Sequence, residues 1–87
     1  MASYRISWKR SAQKELRKLP QQEIQRILQA VEALADEPYP SGVRKLVGSE
    51  QSYRIRIGDY RVVYTIAAAK LIIEIVRVRH RKDVYEK

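Results

Sequence analysis

The sequence contains no cysteine and only a single histidine among its 87 residues. Without cysteine the chain can form no disulfide, and nothing in it indicates an oxidising compartment. The same shortage argues against a structural zinc site, because such sites are built from several Cys and His ligands. There is also no P-loop, no dinucleotide-binding glycine motif and no carboxylate cluster of the kind used by two-metal nucleases. We therefore expect neither a metal nor a cofactor.

Long apolar segments are absent as well. The longest stretch without a charged residue, 62–69, has eight residues, whereas a membrane-spanning helix needs roughly 20 apolar residues. No apolar signal region follows the first residues of the chain. We expect a cytoplasmic protein with no membrane partner, in which residues 1–87 form a single domain around one modest core.

Acidic residues are few: 10 Asp and Glu stand against 18 Lys and Arg, which leaves a formal charge of +8. The excess is concentrated in residues 41–87, where 11 basic and 5 acidic side chains give +6, against 7 basic and 5 acidic in residues 1–40. A basic half of this kind indicates a polyanionic partner, because Lys and Arg that neutralise phosphates release condensed counterions. Ordinary solvated surface charge is the alternative.

Hydrophobic periodicity predicts one strand and two helices in the first half of the chain. Residues 3–8 alternate apolar and polar side chains, which is typical of a half-buried strand. From residue 9 the apolar spacing changes to three and four, and a helix should run to about Leu19. Pro20 suits the first turn of a second helix, whose apolar stripe runs from Ile24 to Ala35. With almost no loop between them, the helices should form an antiparallel hairpin.

The sequence pattern of the second half of the chain predicts strands. Two prolines and a glycine in residues 37–42 end the second helix, and a short segment follows at 43–47. Three strands are then predicted, at 52–57, 60–66 and 71–79. The last is rich in Ile and Val and should be a central strand covered on both faces. The predicted fold is α+β, of order β-α-α-β-β-β, with the helical hairpin on one face of a small, mostly antiparallel sheet and the other face open.

Arginines at alternate strand positions should occupy that open face. Arg54 and Arg56 share one side of their strand, roughly 7 Å apart, which suits successive phosphates. Arg61 follows on the adjacent strand, and the third strand adds Arg77, Arg79 and the run His80-Arg81-Lys82. Like charges at cross-strand distance repel, and a face that is merely solvated would more naturally mix signs. The pattern therefore favours an anion-binding site over a solvated face.

Such a site could cleave RNA without a metal, because RNA supplies its own nucleophile, the 2′-hydroxyl. The protein must then provide a proton acceptor, stabilisation of the phosphorane and a proton donor. Arginine is well suited to the second role. His80 is the one side chain that ordinarily titrates near neutral pH, although a lone histidine beside arginines is more often a phosphate ligand or a packed strand end. Tyr85 could stack on a base or dock against the core.

The segment 53–64, YRIRIGDYRVVY, resembles the most recognisable stretch of the RelE toxins of the RelE/ParE superfamily. Three further segments agree in the same order: KELRKLP at 14–20, KLVG at 45–48 and VRHRKDVY at 78–85. The resemblance thus covers nearly the whole chain. It implies a RelE-like microbial RNase fold and the toxin of a type II toxin–antitoxin system. It also implies an endoribonuclease that enters the ribosomal A site, cuts mRNA there by metal-independent 2′-hydroxyl attack and so inhibits translation.

The resemblance also implies roles for individual residues. Arg54 and Arg56 match two basic strand residues, and Arg61 matches the arginine that stabilises the transition state. Arg81 matches the C-terminal arginine assigned as general acid, and Tyr85 the tyrosine that stacks on the cleaved nucleotide. The best-studied members have lysine at the first two positions; because an arginine is hard to deprotonate, His80 becomes the candidate base. Further RNA-binding residues are expected at Arg44, Lys45, Arg77, Arg79 and Lys82.

Three partners follow from charge and from the resemblance. An acidic, RelB-like antitoxin should place apolar anchors against the helices and cover the arginine face. The ribosome with its A-site mRNA would be the target, and operator DNA would be bound indirectly, through the antitoxin. Two other functions stay open: a ParE-like toxin that binds DNA gyrase without cutting RNA, and a non-catalytic RNA-binding module.

Overall fold

The computed structural model describes residues 3–48 and 51–81. In this part of the chain two helices and five strands follow one another in the predicted order, with a short strand added between the second helix and the arginine-bearing strands. The elements are β1 (Arg5–Trp8), α1 (Arg10–Arg17), α2 (Gln21–Ala33), β2 (Arg44–Lys45), β3 (Ser52–Ile57), β4 (Tyr60–Ala67) and β5 (Ile72–His80). A single 3-10 turn, Ala68–Lys70, joins β4 to β5.

The two helices are short and amphipathic. In α1 the buried residues are Ala12 and Leu16, four apart, and half of the remaining positions are basic. Pro20 occupies the position just before α2, where it has no helical hydrogen bond to lose. Buried Ile27 and Val31 mark the face that α2 turns to the sheet. Neither helix in the described ranges is long and apolar enough to cross a membrane.

The strands form one mixed sheet of order β1-β5-β4-β3-β2. β1 pairs with β5 in parallel, and the other neighbours are antiparallel. The middle strand is β4, and β5 is internal, as predicted, since it pairs with β1 on one side and β4 on the other. The prediction that both faces of β5 are covered is wrong, because buried and partly exposed side chains alternate along most of its length. Helix α1 lies against β5 and α2 against β3, so the helix-covered face of the sheet and the helices enclose the core.

A β-bulge sets which side chains of β5 reach which face. The register runs from Val63 opposite Arg77 to Tyr64 opposite Ile75, so Val76 is an extra residue in the ladder. An inserted residue reverses the alternation on its own strand. Ile75 therefore faces the core, and beyond the bulge Arg77 falls on the opposite face. Without the extra residue, strict alternation would have put Ile75 and Arg77 on the same face of the sheet.

Tyr64 is the largest fully buried side chain of the core. Its hydroxyl donates a hydrogen bond of 2.9 Å to the carbonyl oxygen of Pro38, which ties β4 to the connection after α2. Its ring stacks on that of Tyr53 with the centroids 6.0 Å apart. Burial raises the pKa of Tyr64 to about 12 from its usual 10.0, because a phenolate in the core would be poorly solvated.

This raised pKa makes stability sensitive to alkaline pH. Between pH 10 and about 12 the unfolded Tyr64 loses its proton while the folded one keeps it. The free energy of unfolding should therefore fall by about 1.4 kcal/mol per pH unit from this group alone, having been constant with respect to it below pH 10. Urea unfolding of the wild type and of Tyr64→Phe at stepped pH checks this. An equally steep decline in the variant would contradict the assignment.

Candidate nucleic-acid cleft on the open sheet face

Arginines on the open face of the sheet stand in two rows set by strand register. In one row Arg56 of β3 lies opposite Arg61 of β4, and Arg61 lies opposite Arg79 of β5. The second row runs across β2 to β5 through Arg44, Arg54, Val63 and Arg77. Directly opposite residues are only about 4.5–5.5 Å apart at Cα. Six guanidinium groups therefore start from one side of four strands.

Four of these arginines line one cleft. The cleft has a volume of about 500 Å³ and is bounded by Gly42, Arg44, Arg54, Arg56 and Arg61, within the range typical of ligand sites. Gly42 has a φ of +86°, a conformation that other residues rarely adopt, at the point where the connection after α2 turns into the wall of the cleft. No carboxylate is among these lining residues, so the cleft is strongly electropositive.

Arg61 is the least exposed of the arginines. Only 9 % of its surface is accessible, and its Nη1 has no hydrogen-bond partner within the described residues. Burying a cation without a counter-ion costs free energy, because the lost hydration is not replaced. An anion bound in the cleft would supply the missing acceptor, so Arg61 is held ready for a negatively charged group.

Arg56 is oriented by the turn between β3 and β4. Its Nε donates a hydrogen bond of 3.2 Å to the carbonyl oxygen of Gly58. Gly58 itself has a φ of +61°, and a Cβ there would lie 3.2 Å from the guanidinium of Arg26 on α2. The turn thus requires glycine for its backbone conformation, whereas the Arg26 guanidinium, the exposed end of a flexible side chain, could shift to make room for a Cβ.

Sequence reasoning missed Glu15, which contacts β5 from α1. Its Oε1 accepts a hydrogen bond of 2.8 Å from the amide N–H of Val78, and its Oε2 lies 3.3 Å from Nε of Arg79 and 4.0 Å from Nη1 of Arg77. The contact exists because β1 pairs with β5 only along residues 72–75 and leaves the edge beyond open to α1. The available signal was a single carboxylate in an otherwise basic helix.

His80 does not line the cleft. It lies opposite Tyr60, and the two rings make an edge-to-face contact with their centroids 5.2 Å apart. Tyr60 is on the same side of β4 as buried Val62 and Tyr64, so His80 faces the helix side of the sheet. There it borders a small pocket with Leu19 of the segment between the helices.

Arg44 and Lys45, which were both predicted to bind RNA, lie on opposite faces of the edge strand β2. Arg44 lies opposite Arg54 and lines the cleft, whereas Lys45 lies opposite Tyr53 and so belongs to the helix-covered side. The ring of Tyr53 makes an edge-to-face contact with that of Tyr39, 5.3 Å away. Lys45 is therefore beside an aromatic cluster and not beside the arginines.

Arg81 is exposed and follows the end of β5. Its amide N–H donates a hydrogen bond of 2.6 Å to the carbonyl oxygen of Asp59, which places it at the same end of the sheet as the Gly58–Asp59 turn and Arg56. Lys82 and Tyr85, also predicted to bind RNA, lie outside the described residues.

Comparison with known proteins identifies the family. A model of the ParE toxin of the type II toxin–antitoxin system parDE matches residues 6–85, nearly the whole chain. A Methanocaldococcus jannaschii protein assigned as toxin RelE1 is 32% identical over 76 residues, 84% of each chain. The chain belongs to the RelE/ParE superfamily of type II toxins. The resemblance seen in segment 53–64 is thereby confirmed.

Solved structures support the same assignment for the toxin's fold. The crystal structure of the archaeal RelE–RelB complex from Pyrococcus horikoshii is 33% identical, with a TM-score of 0.82 over 91% of this chain and 96% of the other. The toxin–antitoxin complex RelBE2 from Mycobacterium tuberculosis is 28% identical, with a TM-score of 0.79 over 92% and 100%. The predicted α+β fold, with two helices on one face of a mostly antiparallel sheet, is confirmed.

Proposed function

We propose that this toxin is a ribosome-dependent mRNA endoribonuclease that cuts in the A site without a metal and so inhibits translation. The observation that carries the proposal is Arg61, whose buried Nη1 has no partner in the described ranges and which lines a cleft with three other arginines. A scissile phosphodiester is the kind of anion that this arrangement fits, since a guanidinium can bind two phosphate oxygens at once.

In the proposed reaction the 2′-oxygen of the RNA forms a bond to phosphorus while the bond from phosphorus to the 5′-oxygen breaks. The 2′-hydroxyl proton passes to a base, the departing 5′-oxygen receives a proton, and the products are a 2′,3′-cyclic phosphate and a 5′-hydroxyl. Arg61 would stabilise the negative charge of the phosphorane. Arg54 and Arg56 would hold the flanking phosphates. By its likeness to the family Arg81 would be the proton donor, and Tyr85 would orient the base.

An antitoxin partner is supported by the relatives and by charge. The structures from Pyrococcus horikoshii and Mycobacterium tuberculosis are toxin–antitoxin complexes. A chain of +8 charge would be neutralised best by an acidic partner that covers the arginine cleft. We extend the proposal to an acidic, RelB-like antitoxin of this kind, through which the pair would also bind its operator DNA.

The decisive experiment is an in vitro translation reaction followed by primer extension. We expect new 3′ ends within the A-site codon, and none when the toxin is omitted or the antitoxin is added. Cleavage of naked mRNA at the same positions would remove the requirement for the ribosome. Tight ribosome binding without any cut product would instead identify a non-catalytic RNA-binding module.

A second candidate is a ParE-like toxin that traps DNA gyrase, because the matching family model is named for ParE. The two functions are separated by adding the toxin to gyrase and supercoiled DNA. Accumulated gyrase–DNA cleavage complexes, together with no cut mRNA in the translation reaction, would favour this candidate over the nuclease.

The position of His80 does not support its expected role as general base. Because its ring packs against Tyr60 on the helix side, we expect His80→Gln to change the single-turnover cleavage rate by no more than about threefold, far less than the 10²–10⁴-fold effect of losing a general base. The measurement uses saturating ribosomes, with the melting temperature of the variant as control. A loss of a hundredfold or more would restore His80 as the base.

The two faces of β2 offer a matched pair of charge deletions. Arg44→Gln should weaken binding of a single-stranded RNA and lower the slope of log affinity against log salt by about 0.7, the value for one lost phosphate contact. Lys45→Gln, on the adjacent residue but the opposite face, should leave the slope unchanged. Equal changes for both variants would show that binding depends on net charge and not on the cleft.

A further inference from the structure

Glu15 makes contacts that a surface carboxylate does not need for solubility. One carboxylate oxygen accepts a hydrogen bond of 2.8 Å from the amide N–H of Val78, and the other lies 3.3 Å from Nε of Arg79. Its side chain is only 25 % exposed, so the ion pair is partly shielded from solvent. The carboxylate thus reaches from α1 to the strand segment that carries the last two arginines of the open face.

Arg79 is directly opposite Arg61 on the neighbouring strand. Two guanidinium groups so placed repel each other, and a free Arg79 would move away into solvent. The negative charge of Glu15 offsets that repulsion. The Nε of Arg79 is buried and, despite its 3.3 Å separation from Glu15, makes no hydrogen bond within the described residues, as is also true of Nη1 of Arg61. Nη1 of Arg61 therefore remains a buried donor that an anion could satisfy, whereas Nε of Arg79 already faces the Glu15 carboxylate.

We propose that Glu15 is a positioning residue, whose charge keeps Arg79 beside Arg61 so that both guanidinium groups bind the same phosphate. This inference rests on the proposed nuclease function. It differs from a purely structural role, in which Glu15 would cap the edge of β5 at Val78 and its charge would be immaterial. The distinction is testable because a glutamine at position 15 retains an oxygen for the Val78 N–H but loses the charge.

Helix α2 provides a matched control. Glu23 also lies within ion-pair distance of an arginine, with its Oε1 3.5 Å from Nη1 of Arg26, and its side chain is 29 % exposed. The pair is contained in one helix, and neither residue lines the cleft. Glu23→Gln therefore makes the same chemical change, at similar exposure, without touching Arg79.

The kinetic test compares Glu15→Gln with Glu23→Gln in single-turnover cleavage on saturating ribosomes. We expect Glu15→Gln to cut about tenfold more slowly, because a misplaced guanidinium stabilises the transition state less well, with ribosome affinity and melting temperature little changed. Glu23→Gln should match the wild type. In an Arg79→Gln background the Glu15→Gln change should have no further effect. Wild-type rates for Glu15→Gln, or a full tenfold loss in both backgrounds, would overturn the inference.

A second readout does not require cleavage and so separates this inference from the proposed function. Arginine Nε–H signals are followed by NMR while inorganic phosphate is added to the free toxin. In the wild type the signals of Arg61 and Arg79 should shift together, whereas in Glu15→Gln only that of Arg61 should respond. An unaltered Arg79 response in the variant would refute the positioning role. A wild type that shows the paired shift but never cuts mRNA would refute the nuclease and leave Glu15 as the organiser of an anion site.

Discussion

Replacing Arg61 with methionine should abolish mRNA cleavage without weakening the fold. The expected loss in single-turnover rate is about 10²–10³-fold, the usual effect of removing a preorganised donor from a site of developing negative charge. The free energy of unfolding should stay constant or rise, because methionine of similar length removes a 9 % exposed cation with an unpartnered Nη1. A residue that is costly to the fold and required for activity is characteristic of a functional site.

The measurement pairs cleavage on ribosomes with urea unfolding. Arg17→Met is the control, because Arg17 is exposed and lies on α1, outside the residues that line the cleft. It should leave cleavage unchanged. If Arg61→Met cut mRNA at the wild-type rate, the cleft would not be the catalytic site. If Arg61→Met unfolded the protein, Arg61 would be a structural residue whose side chain pairs, in solution, with another part of the protein.

Replacing Tyr64 with alanine should have the largest effect on stability of any single change in the core. The ring is fully buried and contacts Tyr53, and truncating a buried aromatic costs about 3–5 kcal/mol. Small domains have only about 5–15 kcal/mol in total, so the variant should be largely unfolded at physiological temperature. Tyr64→Phe keeps the ring and loses only the hydrogen bond to Pro38, which should cost about 1–2 kcal/mol.

Chemical unfolding of the two variants separates packing from hydrogen bonding. Tyr60→Phe, a change on the same strand at a half-buried position, provides the baseline for removing a tyrosine hydroxyl. A cost for Tyr64→Phe no larger than that for Tyr60→Phe would mean that the Pro38 contact contributes nothing. A cost for Tyr64→Ala below about 2 kcal/mol would mean that the surrounding core collapses into the space.

Local patterns predicted most of the secondary structure. Alternation along residues 52–57 and 60–66 predicted β3 and β4, because a half-buried strand must turn every second side chain to the core. The two prolines and the glycine of residues 37–42 predicted the end of α2 for an equally local reason. Proline lacks the backbone N–H that a helix needs, and glycine has little preference for a helical backbone. The same local alternation placed Arg54 and Arg56 together on one face.

Local patterns could not predict what depends on how strands meet. The bulge at Val76 reverses the alternation of β5, and only the pairing with β4 reveals it. The separation of Lys45 from Arg44 and the placement of His80 on the helix side follow from register in the same way. Glu15 was missed because its partners are more than 60 residues away along the chain and meet it only where β1 stops pairing with β5.

The chain alone was therefore enough to infer the superfamily, the α+β fold and an arginine-rich open face, since these rest on periodicity, composition and short motifs. The three-dimensional fold decided which arginines share a cleft, which of them is buried without a partner, and which carboxylate contacts their row. The reason is physical: the side a strand residue faces is a local property, whereas the distance between two guanidinium groups depends on pairings between segments far apart in sequence.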